Sequence, residues 1–190
     1  MTWVSSRGPR RHDWPVTRIV ILGCAGAGKS TLARRLSEQT GARLICLDAL
    51  WRPGWGPDDV PEFRALMTEA HAAESWISDG NFAVATFDIR LPRADLVVWL
   101  APPRRLCAWR AIARTLRPGE PHRPGDLLKV LRFVWNFDRV NRPLIEQLRL
   151  RHGRGVPRLT VRTARDRQAL LARNFAAETA ADSSAAGLAV

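Results

Sequence analysis

Gly23, Gly28, Lys29 and Ser30 stand in the spacing G-x-x-x-x-G-K-S, directly after the apolar run Ile19 to Leu22. Glycines so placed let the backbone curl until successive N–H groups point inward at phosphate oxygens. The start of a helix adds unpaired donors and the positive end of its dipole. Lys29 is then positioned to reach the β- and γ-phosphates of a nucleoside triphosphate, and the Ser30 hydroxyl to ligate Mg²⁺. The whole loop (Gly23, Cys24, Ala25, Gly26, Ala27, Gly28, Lys29, Ser30 and Thr31) is expected to hold ATP, with Thr31 donating to the α-phosphate. The competing reading, a glycine turn beside a chance lysine, needs four fixed positions to coincide. Cys24 reads as a packing residue, because nothing near it in sequence argues for redox chemistry.

Whether the phosphate goes to water or to a bound acceptor depends on other residues. Hydrolases of this type orient water with a glutamate after the metal-binding aspartate, or with an equivalent glutamine. Here "WISDGN" (residues 76–81) follows Asp79 with Gly80, and the guanine-reading N-K-x-D pattern is absent. Transfer to an acceptor is the better account, with Asp79 beside the metal; its alternative role is to cap a turn. Asp48 closes a strand-like run in "ICLDALWRPGW" and is expected to take a proton from an attacking hydroxyl or to hold the acceptor, the alternative being a loop cap. Trp51 and Trp55 either form a stacking wall for a planar acceptor or cover the core edge. Arg110, Arg114 and Arg117 stack like charges along one helical stripe, which costs a few tenths of a kcal/mol per pair unless an anion intervenes. They suit a triphosphate or a solvated face. Residues 104–154 hold thirteen basic and four acidic residues, a net of +9 within the chain's +12. A cation-rich lid that excludes water is expected there.

The elements that must position these groups follow from periodicity. With 190 residues the chain suits one α/β domain. Five short buried strands are expected at Arg18 to Leu22, Arg43 to Leu47, Trp76 to Asp79, Asp95 to Leu100 and Arg158 to Arg162, alternating with helices as in a parallel sheet. The first helix should open at Gly28, bury Leu32, Ala33 and Leu36, and stop at Gly41. A second should begin near Asp58 to Pro61 with Phe63, Leu66, Met67 and Ala70 on one face. A third, after Pro102 and Pro103, should turn Trp109, Ile112, Ala113 and Leu116 to the sheet. Arg117 to Asp126 reads as a loop, followed by a helix with Leu127, Val130, Leu131, Val134 and Phe137 inward and a break or kink at Pro143. Residues 1–17 and 176–190 read as disordered tails around a domain at 18–175. Three widely spaced cysteines fit a reducing compartment, and no segment is long and apolar enough to span a bilayer, so a cytoplasmic protein without a membrane partner is expected. Nucleic acid is compatible with the charge, but no recognition-helix pattern or aromatic-basic alternation supports it.

The stretches "GCAGAGKSTLARRL", "LDALWRPGW", "WISDGNF" and "IRLPRADLVVWLAPP", with the Arg110 to Arg114 region, occur in an order that resembles the adenylate-kinase-like P-loop proteins known as topology modulation proteins (FlaR-like). The resemblance covers roughly residues 18–174. It implies a P-loop kinase fold: a five-stranded parallel sheet ordered 2-3-1-4-5 with helices on both faces and an arginine-rich helical lid. It also implies ATP with Mg²⁺, Ser30 and Asp79 at the metal, and Lys29, Arg110 and Arg114 at the transferring phosphoryl group. Arg90 would lie near the acceptor, with Asp48, Trp51 and Asn81 lining its site, and the loop Thr163 to Asp166, through Arg165, would lie against adenine. Where adenylate kinases follow the third-strand Asp-Gly with an aromatic residue, Pro and Arg, this chain has Asn81, Phe82 and Ala83, which argues against AMP as the acceptor. The reading is ATP-dependent phosphoryl transfer to a small acceptor, a nucleotide or nucleoside among the candidates. The alternative is an ATP-binding, nucleic-acid-associated or regulatory protein with slow ATPase activity.

Overall fold

Strands covered on both faces must be apolar nearly throughout, and Leu96, Val97, Val98, Trp99 and Leu100 are all buried. They form β4 (Leu96–Leu100) in a computed structural model that describes residues 17–115 and 124–173. With β1 (Arg18–Gly23), β2 (Arg43–Cys46), β3 (Trp76–Asp79) and β5 (Arg158–Val161) it builds one five-stranded sheet, ordered 2-3-1-4-5. Every pairing is parallel, Ile21 standing opposite Asp79 on one side and Val98 on the other. This is the α/β topology anticipated from the sequence. From β1 the chain runs to the edge at β2, returns inward as β3 and then crosses to the other side of β1 for β4 and β5, and ligands of open α/β sheets bind outside the carboxyl ends of strands at such a crossing.

The helices are α1 (Lys29–Thr40), α2 (Leu47–Leu50), α3 (Val60–Ala70), α4 (Ala83–Arg90), α5 (Arg104–Thr115), α6 (Pro124–Asn136), α7 (Asn141–His152) and α8 (Ala164–Leu171), with 3-10 turns at Pro57–Asp59 and Leu91–Arg93. α1 buries Leu32, Ala33 and Leu36 as expected and ends at Gly41, whose N–H donates to Ser37 O. α3 buries Phe63, Met67 and Ala70, while Leu66 is only half-buried. Among the described residues no helix is long and apolar enough to cross a membrane.

Several expectations need correction. α5 does not turn Trp109 to the sheet: Trp109 is 65% exposed, and Cys107 and Ala111, one turn apart, are the buried pair. Ile112 is half-buried and Ala113 exposed. On α6, Leu127, Val130 and Leu131 are only half-buried, while Val134 and Phe137 are buried, Phe137 lying just past the helix. Pro143 breaks nothing. The chain turns at residues 137–140, and Pro143 sits in the first turn of α7, where its missing N–H has no intrahelical partner to lose. Residue Leu47, expected in the second strand, already belongs to α2. Thr17, expected in the tail, hydrogen-bonds Asp95 through N and Oγ1 at 3.1 and 3.2 Å, and its carbonyl accepts from Trp76 N. The remaining tail residues and residues 116–123 lie outside the described residues, and α6 opens at Pro124, inside the stretch expected to be a loop.

Candidate active site

The loop between β1 and α1 has the shape its glycines require. Gly26 takes φ +75°, and a Cβ there would stand 2.2 Å from the Cys107 carbonyl oxygen, so only glycine lets the loop lie against α5. Among the described residues, the amides of Ala25, Gly26, Gly28, Lys29, Ser30 and Thr31 donate to no protein acceptor. The first intrahelical bond is Leu32 N to Gly28 O, at 3.1 Å. These unused donors at a helix start are what an oxyanion needs. Lys29 folds back over the loop, its Nζ donating to Cys24 O at 3.1 Å. Burial pulls its pKa down, while Asp79 and Asp48 act to raise it, which places both carboxylates within electrostatic range of the ammonium.

Asp79, at the end of β3, is 3% exposed, and its Oδ1 is buried without a hydrogen-bond partner. Burial pushes its pKa up; the neighbouring Ser30 hydroxyl and Lys29 hold it down. A serine hydroxyl beside a carboxylate oxygen lacking a partner is an all-oxygen donor set suited to a hard divalent cation. Asp48 lies in the first turn of α2 with its side chain exposed. The bare Cα of Gly80 faces Leu47, whose Cβ is 3.0 Å from where a Cβ would stand.

Asn81 and Arg90 do not line an open acceptor site. Asn81 spends its amide on the phosphate loop: Oδ1 accepts from Gly23 N at 3.1 Å and Nδ2 donates to Gly23 O at 3.0 Å. Arg90 is fully buried, and its guanidinium donates to Ser78 Oγ at 3.1 Å and to Asn81 O. Burial draws it down to about 9, so it remains charged at neutral pH. Ser78 passes the chain on. Nδ1 of His71 lies 2.8 Å from Met67 O and must carry the proton, so Nε2, 3.0 Å from Ser78 Oγ, accepts from the serine hydroxyl. Burial pushes His71 down to about 4 and keeps it neutral. Arg90 thus acts as a brace that runs from α3 through β3 to the loop, and its arginine type, read as a substrate ligand, serves an interior network instead.

The cations around the loop come from two helices. Arg110 Nη1 is 3.7 Å and Arg167 Nη2 is 3.2 Å from where a Gly28 Cβ would stand, and Arg167 also donates to Ala27 O at 3.4 Å. Arg114 lies close enough to lower the Lys29 pKa. Among the described residues no carboxylate pairs with Arg110, Arg114 or Arg167. Arg167 was missed in the sequence because the reading stopped at the loop Thr163 to Asp166 and assigned no helix after β5. No sequence signal singles it out: Arg165 is exposed and Arg167 half-buried only because of how α8 packs. Other arginines of the basic segment serve the scaffold: Arg104 pairs with Asp138 at 3.0 Å, and Arg149 with Glu146 at 3.1 Å. Cys24 and Cys107 line one cavity, and their interaction draws Cys107 down to about 7 and pushes Cys24 up.

On the other flank lies an aromatic cluster. Trp51 packs edge-on against Trp55 and Phe63, with ring centres 5.6 and 5.2 Å apart, and tilted against Phe82 at 5.9 Å. Phe63 is fully buried, whereas Trp51, Trp55 and Phe82 are half-buried and keep part of their rings at the surface. Of the two readings of the tryptophans, the covering of the core edge is therefore seen, with part of each ring left exposed. Phe82 carries φ +33°, a left-handed conformation rare for an aromatic residue and held here immediately after Asn81.

No family model matches the chain, and no curated protein matches it. Solved structures share its fold. A shikimate kinase from Acinetobacter baumannii in complex with shikimate superposes with a TM-score of 0.50 at 17% identity, covering 92% of this chain and 96% of that one. A gluconokinase from Sinorhizobium meliloti gives 0.51 at 22% identity over 88% and 98%. A sugar kinase from Janibacter sp. gives 0.52 at 18% over 86% and 97%. At these identities the likeness establishes the fold of P-loop small-molecule kinases, with the sheet order 2-3-1-4-5.

Proposed function

We propose that this protein transfers the γ-phosphoryl group of ATP to the hydroxyl of a small molecule. The observation that carries this reading is the convergence of Lys29, Arg110, Arg114 and Arg167, none paired with a carboxylate among the described residues, on a loop most of whose amides find no acceptor there. Such a site suits the triphosphate of a nucleotide. Phosphoryl transfer asks the protein mainly for positioning and charge neutralisation, and fixed donors in a site shielded from water supply both. Ser30 and Asp79 would hold Mg²⁺, which when bound spreads the charge of the β- and γ-phosphates. Lys29 leaves Cys24 O to meet the phosphates, and Arg110 and Arg114 stabilise the charge of the transferring group. Asp48 receives the proton of the attacking hydroxyl. Asn81 and Arg90 position the loop without touching substrate. Arg165, on the exposed start of α8, remains the residue offered to adenine.

The resemblance to topology modulation proteins is compatible with this reading and adds no acceptor. The test is acceptor dependence: ADP release in a coupled assay rises at least tenfold when the acceptor is supplied, and equal turnover without any acceptor overturns transfer. A second reading, nucleotide-dependent association with nucleic acid, draws on the exposed Trp109 and Trp135, each 65% accessible, in the basic segment. It requires affinity with a steep salt slope that Arg132→Glu or Arg139→Glu flattens.

A further inference from the structure

The chain's positive charge is not shared by the flank that faces the phosphate loop. Residues 47–90, which run from α2 through α4, contain eight acidic and three basic residues, a net of −5 in a chain of +12. All three arginines are already committed. Arg52 pairs with Glu62 at 2.9 Å and lies over the Trp55 ring, 5.0 Å from its centre. Arg64 forms a two-pronged pair with Asp88 at 3.0 and 2.6 Å and also donates to Ala85 O. Arg90 is sealed inside and serves Ser78 and Asn81. Within electrostatic range of Lys29 this flank offers an exposed carboxylate, Asp48, and beyond it the half-buried rings of Trp51 and Phe82, with Trp55 beneath Arg52.

We infer that the acceptor is an alcohol that carries no anionic group and has a flat apolar face, which rests on Trp51, Trp55 and Phe82 while its hydroxyl meets Asp48. An acceptor bearing a phosphate or carboxylate would enter a field of like charge on this flank, where Arg52 and Arg64 would have to abandon Glu62 and Asp88 to receive it. Indole rings, by contrast, take the hydrophobic face of a base or of a sugar ring at little entropic cost. In the reaction, the acceptor oxygen forms a bond to the γ-phosphorus as the bond to the β,γ-bridging oxygen breaks. ADP leaves with that electron pair, and the hydroxyl proton passes to Asp48 and then to water.

This inference rests on the phosphoryl-transfer reading, and one experiment separates their failures. A deproteinised small-molecule extract is split on an anion-exchange resin at neutral pH, and each pool is incubated with the full-length protein, Mg²⁺ and γ-labelled ATP. Label should pass into an organic product from the unretained pool at least tenfold faster than from the retained pool. Faster labelling of the retained pool overturns the inference and leaves transfer standing. Labelling of neither pool, by protein that still binds ATP, overturns transfer itself and the inference with it. Nucleosides, neutral sugars and cyclitols, and amine-bearing alcohols assayed singly then identify the source. With the acceptor so found, Trp51→Leu should raise its KM about tenfold at unchanged KM for ATP, and Trp51→Phe should recover most of that loss. Asp48→Asn should lower kcat at least a hundredfold with little change in acceptor KM. Unchanged acceptor KM in folded Trp51→Leu and Trp55→Leu proteins would also sink the aromatic wall.

Discussion

The two flanks of the crevice at the end of β1 are built on opposite plans. The donor flank is backbone and free charge: among the described residues, amides without acceptors, a lysine lying across them, and arginines from α5 and α8 without carboxylate partners. The acceptor flank is rings and settled charge: four aromatic side chains in mutual contact, and arginines already joined to Glu62 and Asp88 or sealed in the interior. Unpaired cations held close together are costly, and the cost is recovered only when an anion arrives. The donor flank therefore carries uncompensated charge until its ligand binds, whereas Arg52 and Arg64 of the acceptor flank are compensated without one.

The largest effect should come from removing the centre of the donor flank. Lys29→Ala is expected to lower acceptor-dependent ADP formation about a thousandfold or more, a loss of roughly 4 kcal/mol of transition-state stabilisation. A residual rate within tenfold of the parent would break the contrast between flanks. Arg114→Ala should follow, with kcat down about a hundredfold and ATP affinity, read by calorimetry, within a few-fold, because its charge matters most to the phosphoryl group in transit.

Beneath the acceptor flank, His71 sets an acid limit. Its pKa of about 4 when folded lies below the ordinary 6.5 of the unfolded chain, so between these values the unfolded chain binds the extra proton. Stability is complete above pH 6.5 and declines as pH falls toward 4, by about 3 kcal/mol at full extent. Urea unfolding across that range measures the slope, and His71→Gln should remove most of this histidine's contribution to it. A parental slope in the variant would place the acid sensitivity elsewhere.

Asn81→Ala takes away two hydrogen bonds and strands both polar groups of Gly23. About 1 to 3 kcal/mol should be lost from stability, with KM for ATP raised several-fold. If the acceptor KM rises while that for ATP stays fixed, Asn81 is a substrate ligand after all. The smallest effect belongs to Arg52→Ala. Its pair with Glu62 is exposed, and such pairs contribute under about 1 kcal/mol, so stability and acceptor KM should scarcely move. A large rise in acceptor KM would reveal an anion held there.

The legible parts of the molecule were those whose signal is local. β3 was read with its observed ends, and β1 and α1 within a residue, because buried parallel strands are short apolar runs and α1 carries its own start and stop in Gly28 and Gly41. α4 was overlooked because it is short, contains Val84, Thr86 and Ile89, and has as its N-cap Phe82, which forms no side-chain cap hydrogen bond. On α5 two apolar stripes compete at helical spacing, Trp109 with Ile112 against Cys107 with Ala111. Only the approach of Gly26 to the Cys107 carbonyl selects the second.

The same division runs through the site. Chemical identity and spacing were enough for the phosphate loop, because its work is done by consecutive backbone amides and by a lysine and serine adjacent in the chain. Assigning the arginines was beyond the sequence, since a guanidinium reads alike whether it faces an anion, a carboxylate partner or the interior. The fold decides by burial and by which acceptor comes within about 3 Å. It put Arg90 and Asn81 to bracing, paired Arg52 and Arg64, and brought Arg167, 140 positions away in the chain, onto Ala27.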